Sequence, residues 1–469
     1  MTRTRRSRSA AQAAEPAADA GLRRIPSVEK LLSSAPFGPL LARYGRGEVK
    51  EELARQLDEF RRNPASIEGE PGTIAGLVEG RLGRALAPSL RPVINGTGII
   101  IHTNLGRSPV GAALLDSAAS RIVSYSNLEF DLSSGSRGKR DEHVAELAAR
   151  LFGCEAAILV NNNASAVLLL LAATARGREV VVSRGELVEI GGSFRVPDVI
   201  VQGGAILREV GTTNRTRASD YASAAGKETA ALLRVHRSNF EIVGFTESPR
   251  LGELVAVARA KGVPLFYDEG SGRVVDLARY GFSSGATLRE IIASGVDAVT
   301  CSTDKLIGAT QGGLILGKRT LIEACARHPL MRALRAGKES YAVIGETLRA
   351  FLTGRHEESI PIYAMLAAPL ESLRARAEAI ARAVPGASAR ETRAALGGGT
   401  TPSETIASAG IAIRPAGGAD AFRRRLLDLP RPVVTRIEDD DVILDVRTVF
   451  PADDGAVVES LARAVGESL

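Results

Sequence analysis

From Ala156 onward, short apolar runs alternate with longer stretches of helical character, and this limits the folds open to the chain more than any other feature. The apolar runs fall at residues 156–160, 179–183, 199–202, 231–236, 264–268, 297–301 and 313–316. Runs this short, bounded by polar or glycine-rich turns, read as buried strands, and residues 165–175 and 251–261 read as helices between them. Strand–helix–strand alternation builds a mostly parallel sheet covered by helices. The expectation is an α/β fold on a mostly parallel seven-stranded sheet.

The flanks differ in texture. Residues 25–90 are helical in pattern: Ser27 is placed to cap a helix, and Val49, Leu53, Leu57 and Phe60 share one amphipathic face. Residues 91–355 form the expected large domain, with a helical stretch from Arg319 towards Gly354. Residues 356–469 form a smaller α/β domain, with strands near 410–414, 433–437 and 442–446 and a closing helix from Ala456. Residues 1–24 carry six arginines against Glu15 and Asp19 and no core-forming residues, the composition of a disordered tail. That tail holds most of the formal charge of +6, whereas residues 25–90 balance nine basic against nine acidic residues.

Composition excludes several classes. No apolar run is long enough to span a bilayer, and the tail lacks the apolar segment of a secretory signal. Cys154, Cys301 and Cys325 show neither metal-like spacing nor a disulfide framework, which suits a reducing cytosol. With five histidines and no HxxxH pair, no zinc site is expected.

Two of the apolar runs end in groups that belong together chemically. Leu265-Phe266-Tyr267 ends in Asp268, and Val299-Thr300-Cys301 leads through Ser302, Thr303 and Asp304 to Lys305. A pyridoxal phosphate (PLP) enzyme needs a lysine to hold the cofactor as a Schiff base, and an acid to keep the pyridine nitrogen protonated. The run ending at Val160 turns through Asn161, Asn162 and Asn163 into Ala164, Ser165 and an apolar helix. Free N–H groups and the helix dipole make such a turn an anion site. Taken singly, these features also describe a solvated lysine and an ordinary capped helix. In the order cradle, acid, lysine they point to PLP, bound by Lys305, Asp268, Asn163, Ala164 and Ser165.

Other polar segments fall at strand ends on the same expected edge of the sheet. His236 reads as a core histidine or as a contact to the cofactor ring. Arg332 and Arg335 are i, i+3 neighbours on an expected helix face, a spacing that grips an oxyanion or faces solvent. Arg107 closes the glycine-rich loop 96–106. The polar segment 125–140, with Tyr125 and Phe130, is expected to line a site.

Segments 91–109 (RPVINGTGIIIHTNLGRSP), 125–143 (YSNLEFDLSSGSRGKRDEH), 161–170, 211–216, 236–245 and 328–335 together resemble the bacterial selenocysteine synthases, the L-seryl-tRNA(Sec) selenium transferase family. The resemblance runs from about residue 25 to the C-terminus. It implies a fold-type I PLP enzyme whose N-terminal helical domain recognises the selenocysteine tRNA and whose subunits form a homodecamer. The implied reaction turns seryl-tRNA(Sec) into selenocysteinyl-tRNA(Sec), by loss of water to a dehydroalanyl-tRNA and addition of selenium from selenophosphate. Lys305 and Asp304 are then the catalytic residues, and Arg107, Arg332, Arg335, Thr212, Thr213 and Asn239 the substrate contacts. The chain departs from the family at Thr303, usually glycine, and at Ala309-Thr310, usually Gly-Pro. It departs also at Glu269, within a usual Asp-Leu-Gly-Ser-Gly, and at Gly337, usually aspartate. Two rival readings remain at this stage: a PLP lyase for a small amino acid or amino sugar phosphate, and an idle tRNA-binding paralogue.

Overall fold

In a computed structural model, which describes residues 26–62, 70–190, 194–398 and 400–466, the chain divides into two compact units, Met1–Pro92 and Val93–Leu469. The expected tail at residues 1–24 lies outside the described residues.

The first unit is helical. Ser27 caps the short helix Val28–Leu32, its hydroxyl accepting from Lys30 N at 3.4 Å. Helix α1 (Arg46–Arg62) buries Val49, Leu53, Leu57 and Phe60, the face that their spacing predicts. Against that face lies α2 (Pro71–Ala85), through Ile74, Val78 and Leu82. The unit therefore has an apolar core of its own.

The second unit is organised by a seven-stranded sheet. Its strands are β1 (Ala156–Val160), β2 (Glu179–Ser183), β3 (Ile206–Val210), β4 (Thr229–Val235), β5 (Leu265–Gly270), β6 (Ala298–Ser302) and β7 (Gly313–Gly317). They lie in the order β1-β7-β6-β5-β4-β2-β3. Only β7 is antiparallel to its neighbours; every other pairing is parallel. Near-continuous burial along β1, β2, β4, β6 and β7 explains why they are largely apolar rather than alternating. Separate apolar cores fill the two faces, one around Leu232, Leu265 and Leu314, the other around Val180, Phe266 and Ile315.

One expected strand is a helix. Residues 199–202 belong to α4 (Val196–Gln202), and the strand at this place in the alternation is β3. Pro197 is in the first turn, where its missing N–H costs nothing, and Val196 and Ile200 share the buried face at i, i+4. The four residues Val-Ile-Val-Gln, three of them apolar, fit either period, and the proline decides. Helix α3 (Asn163–Thr174) precedes α4, and α5 (Leu251–Lys261) follows it at the bounds its pattern predicts. The helical stretch after Arg319 is divided into α6 (Arg319–Arg327), α7 (Leu330–Leu334) and α8 (Lys338–Leu352), with breaks at Pro329 and Gly337.

C-terminal residues form a four-stranded antiparallel sheet in the order β8-β9-β11-β10: β8 (Ala387–Gly397), β9 (Thr401–Ile413), β10 (Arg436–Glu438) and β11 (Asp441–Asp445). Helices α9 (Leu370–Ala383) and α10 (Asp454–Gly466) pack on it around Leu373, Phe422 and Leu444. The expected strand at 433–437 is split. Val433–Val434 pairs in parallel with Ile94–Asn95, and β10 pairs with β11. Strand β8 has no counterpart in the apolar pattern, because its solvent-facing positions carry charges such as Arg390 and Arg393. Among the described residues no helix is long and apolar enough to cross a membrane.

Closure of β7 onto β1 fixes the turn that opens α3. A Cβ on Gly313 would stand 2.1 Å from the carbonyl oxygen of Asn162, a backbone atom that has nowhere to go. Gly313→Ala is expected to lower stability by about 1–3 kcal/mol through this overpacking, read as a fall in the urea-unfolding midpoint. An unchanged midpoint would show that the turn yields.

Candidate active site

The C-terminal ends of the parallel strands bring together residues far apart in sequence. Asp268, near the end of β5, is 8% exposed. Its Oδ1 accepts from Asn163 Nδ2 at 2.8 Å and from Thr300 Oγ1 at 2.9 Å. Thr300 is available because the parallel register sets it directly opposite Asp268 on β6. Asn163 is available because Asn162 caps α3, its side chain accepting from Ser165 N at 2.8 Å and turning the next residue inward. Burial pushes the Asp268 carboxyl above its ordinary range, against the pull of Asn163, Thr300 and the charge of Lys305.

Lys305 lies in the turn after β6 and is 6% exposed. Burial pushes its ammonium below the usual lysine range and the like charge of Arg107 adds to this, while Asp268, Glu269 and Asp304 oppose it. The turn is held from three directions. Ser108 Oγ donates to the Lys305 carbonyl at 2.5 Å, Tyr363 Oη donates to the Leu306 carbonyl at 2.6 Å, and Leu306 N donates to Ser271 O at 3.0 Å.

Arg107 and Asp304 form the adjoining pair. Arg107 Nη1 meets Asp304 Oδ2 at 2.7 Å, and Ser108 N donates to the Asp304 carbonyl at 3.1 Å. Arg107 adopts a left-handed φ of 63°, a conformation that costs a non-glycine residue about 1 kcal/mol. Its N–H bond to His102 O at 3.0 Å and the ion pair together hold it there. Such strain persists where the surroundings over-determine a position.

The remaining sequence-derived residues sit as follows. His236 follows β4; its N–H donates to the Asp268 carbonyl at 2.9 Å, and its Nε2 is 3.3 Å from Thr400 O. With Arg234, Arg237, Phe240, Ile242 and Tyr267 it lines a cavity of about 240 Å³. Ala164 and Ser165 open α3. Asn239 Nδ2 donates to Glu189 O at 2.7 Å, and Thr212 closes a turn with Arg215, so both are engaged within their loops; Thr213 is exposed. The shared helix face expected for Arg332 and Arg335 does not form. Helix α7 ends at Leu334, and Arg335 follows with extended backbone, bridging to Val160 and pairing with Glu129 at 3.1 Å. Arg332 is exposed and has no ion pair among the described residues. Tyr125 is also exposed, but Glu129 of the same segment gathers Arg335, Arg140 and Arg137.

Sequence reasoning missed Thr300, Ser108, Tyr363 and Glu129. Thr300 had a signal, a polar residue inside a fully buried strand that ends near the lysine. Tyr363 had none, being 58 residues downstream of Lys305 and joined to it only by folding.

A buried acid and a buried lysine at neighbouring strand ends, with a helix opening beside them, fit PLP. Asn163 Oδ1 and Asp304 Oδ1 are both buried without a hydrogen-bond partner, as expected of polar atoms facing a space meant for another polar group. Among the described residues no cluster of three or more His, Cys, Asp or Glu is placed to hold a metal.

Comparison with known proteins agrees with this geometry. Residues 93–450 match the L-seryl-tRNA selenium transferase family, and residues 22–61 match the family described as selenocysteine synthase N terminal. The chain belongs to the L-seryl-tRNA selenium transferase family. The L-seryl-tRNA(Sec) selenium transferase of Moorella thermoacetica is 45% identical over 463 residues, covering 96% of this chain and 97% of that protein. The Geobacter sulfurreducens protein of the same name is 44% identical, covering 93% and 98%. Among solved structures, D-glucosaminate-6-phosphate ammonia-lyase superposes with a TM-score of 0.61 at 23% identity, over 83% of this chain and 98% of that one. The family's large domain here has the fold of the fold-type I PLP enzymes.

In cofactor-free protein the raised Asp268 carboxyl stabilises the fold most below the ordinary carboxylate range, and this contribution declines as pH rises through the raised value. Asp268→Asn keeps an oxygen for Asn163 and Thr300 but carries no charge. It is expected to remove that decline, seen in urea midpoints measured across pH for both proteins. Identical pH profiles would contradict the buried charge.

Proposed function

We propose that this chain converts L-seryl-tRNA(Sec) to L-selenocysteinyl-tRNA(Sec), with PLP as cofactor and selenophosphate as selenium donor. The observation that carries the reading is the near full-length match to L-seryl-tRNA(Sec) selenium transferases. The buried pair of Lys305 and Asp268 supports the cofactor.

When bound, PLP supplies an electron sink that makes the Cα proton of an attached amino acid removable. Lys305 is the residue that would hold it. A lysine pushed below its usual range is more often the free amine near neutral pH, and Lys305 would be the group that accepts the Cα proton. Asp268 would hold the proton of the ring nitrogen, and the opening of α3, with Asn163, Ala164 and Ser165, would hold the phosphate. His236, bonded through its backbone N–H to Asp268, would be a contact for the ring. Asp304 has one oxygen tied to Arg107 and the other without a partner, and so offers a second site for proton transfer as the serine hydroxyl leaves as water. Arg107, Arg332 and Arg335 would supply positive charge for the anionic donor, and Thr212, Thr213 and Asn239, in the loops after β3 and β4, would be further substrate contacts.

The helical N-terminal unit is assigned to tRNA recognition. The chain is placed in the cytosol, in keeping with three free buried cysteines. By resemblance to the family it assembles as a homodecamer, and exposed Val123, Tyr125 and Leu132 are apolar surface for such contacts.

The test is conversion of seryl-tRNA(Sec) by purified protein with selenophosphate, followed by analysis of the released amino acid. Wild type is expected to yield selenocysteine. Lys305→Ala is expected to yield none, and to lack the near-visible absorbance of lysine-bound PLP. Serine returned unchanged by PLP-loaded wild type would overturn the proposal. A second variant addresses the donor. Arg332→Ala combined with Arg335→Ala is expected to raise the KM for selenophosphate by at least about tenfold, from loss of charge-assisted hydrogen bonds, with the PLP absorbance unchanged. An unaltered KM would remove these arginines from the donor site.

A further inference from the structure

The loops that follow β3 and β4 leave the same sheet edge as Asp268 and, besides His236, Thr212, Thr213 and Asn239, carry an exposed surface with no role assigned above. Phe245 is 78% exposed and Val243 is 86% exposed. Exposed aromatic rings on flexible loops are usually tucked away, but this one is held in place. Arg215 lies over one face of the Phe245 ring, its guanidinium carbon 4.4 Å from the ring centroid. The two loops are bound together by Glu247 N to Asn214 O at 3.0 Å, Thr216 N to Glu247 O at 3.0 Å and Asn214 Nδ2 to Phe245 O at 2.6 Å. The Glu247 carboxylate pairs with Arg215 and Arg217. Residues 211–217 and 236–250 together hold four arginines against two glutamates. Arg237 makes no direct salt bridge among the described residues, though its charge acts on the buried Glu186 carboxylate.

We infer that Arg215 and Phe245 form a stacking platform for a base of the unpaired 3′ end of an aminoacyl-tRNA. The inference rests on the proposed reaction and names where its substrate is gripped. A flat ring backed by a guanidinium, fixed on two tied loops and edged with arginine, is the chemistry that takes single-stranded RNA without reading its sequence. Its place suits the task. Strand β3 is three strand spacings from β5, about 14 Å, within reach of a few unpaired nucleotides whose terminal residue carries the reacting amino acid.

The test is the affinity and kinetics of the full-length PLP-loaded protein with serylated tRNA, for wild type, Phe245→Ala and Phe245→Tyr. Loss of one stacked base is expected to weaken binding and raise KM roughly 5- to 100-fold in Phe245→Ala. The kcat and PLP absorbance should be unchanged, and Phe245→Tyr should restore affinity. With a tRNA trimmed of its unpaired 3′ nucleotides, wild type and Phe245→Ala should bind equally. Unchanged affinity in Phe245→Ala overturns the inference, as does an equal loss with trimmed tRNA. A smaller assembly in sedimentation would also overturn it, showing that the ring is covered by a second copy of the chain. Because binding is measured apart from conversion, a wild type that binds seryl-tRNA in a Phe245-dependent way yet returns serine would refute the reaction and leave the platform standing.

Discussion

A carboxylate removed from water has to be given donors, and the arrangement of the large unit follows from supplying them to Asp268. One donor comes from the neighbouring strand through the parallel register that sets Thr300 opposite it. The other comes from Asn163, across the sheet at the opening of α3. That second contact requires β1 to end close to β5, although β7 and β6 lie between them. Inserting β7 antiparallel lets the chain leave β6, turn through Lys305 and return beside β1 within a few residues. The parallel pairing of β5 and β6 places acid and lysine at one edge, and the antiparallel β7 brings the chain back beside β1. Gly313 allows the return strand to approach the Asn162 carbonyl without a side chain between them.

The charges around this centre are almost fully paired before any substrate arrives. Asp304 is paired with Arg107, and Glu129 gathers Arg335, Arg140 and Arg137. On the proposed reading, an incoming anion exchanges for a carboxylate that already holds each arginine in position. Little side-chain order is then lost on binding, because the arginines are ordered beforehand. Arg332 has no such partner among the described residues and would have to be ordered by the donor itself.

Legibility in the sequence followed the range of the interaction involved. Elements defined by their own periodicity were readable, such as α5 and the buried face of α1, and so were strands buried on both sides. The run at 199–202 was misread because four residues cannot separate a period of 2 from one of 3.6, and a first-turn proline settled it. Strand β8 was invisible because an antiparallel strand with one wet face carries too few apolar residues to stand out. Lys305, Asp268 and Asn163 could be named from chain order because each ends or follows a strong strand. Their supporting contacts were not readable. Ser108 and Tyr363 reach the lysine turn from 197 and 57 residues away along the chain, and only the packed structure relates them. Arg332 and Arg335 show the opposite error: a spacing that implies a shared face has no meaning once the helix stops between them.

The departures from the family pattern also have physical readings. At Thr303, where the resemblance implies glycine, the hydroxyl donates to the Thr310 carbonyl at 2.6 Å, and Thr303 N bonds to Gly312 O. A proline at 310 would stiffen this turn by fixing φ; here a side-chain bond across the turn stiffens it, leaving the Thr310 hydroxyl buried without a partner. Glu269 is buried, but its carboxylate is taken up by Ser271 Oγ and Gly272 N, so it is satisfied within its own loop. At the start of α8, Gly337 is an N-cap with no side chain to accept from the first turn, where aspartate would serve. A Cβ on Gly337 would fall 2.1 Å from Glu339 Oε1, so the carboxylate of Glu339 folds back into the space that an aspartate side chain would fill. Negative charge is retained at the helix N-terminus, where the dipole favours it, while the residue that bears it has moved two places along the chain. Lys338 between them still donates to the Ser124 carbonyl at 3.0 Å, so the segment linking α8 to the Glu129 cluster is held even though its cap is built from a different residue.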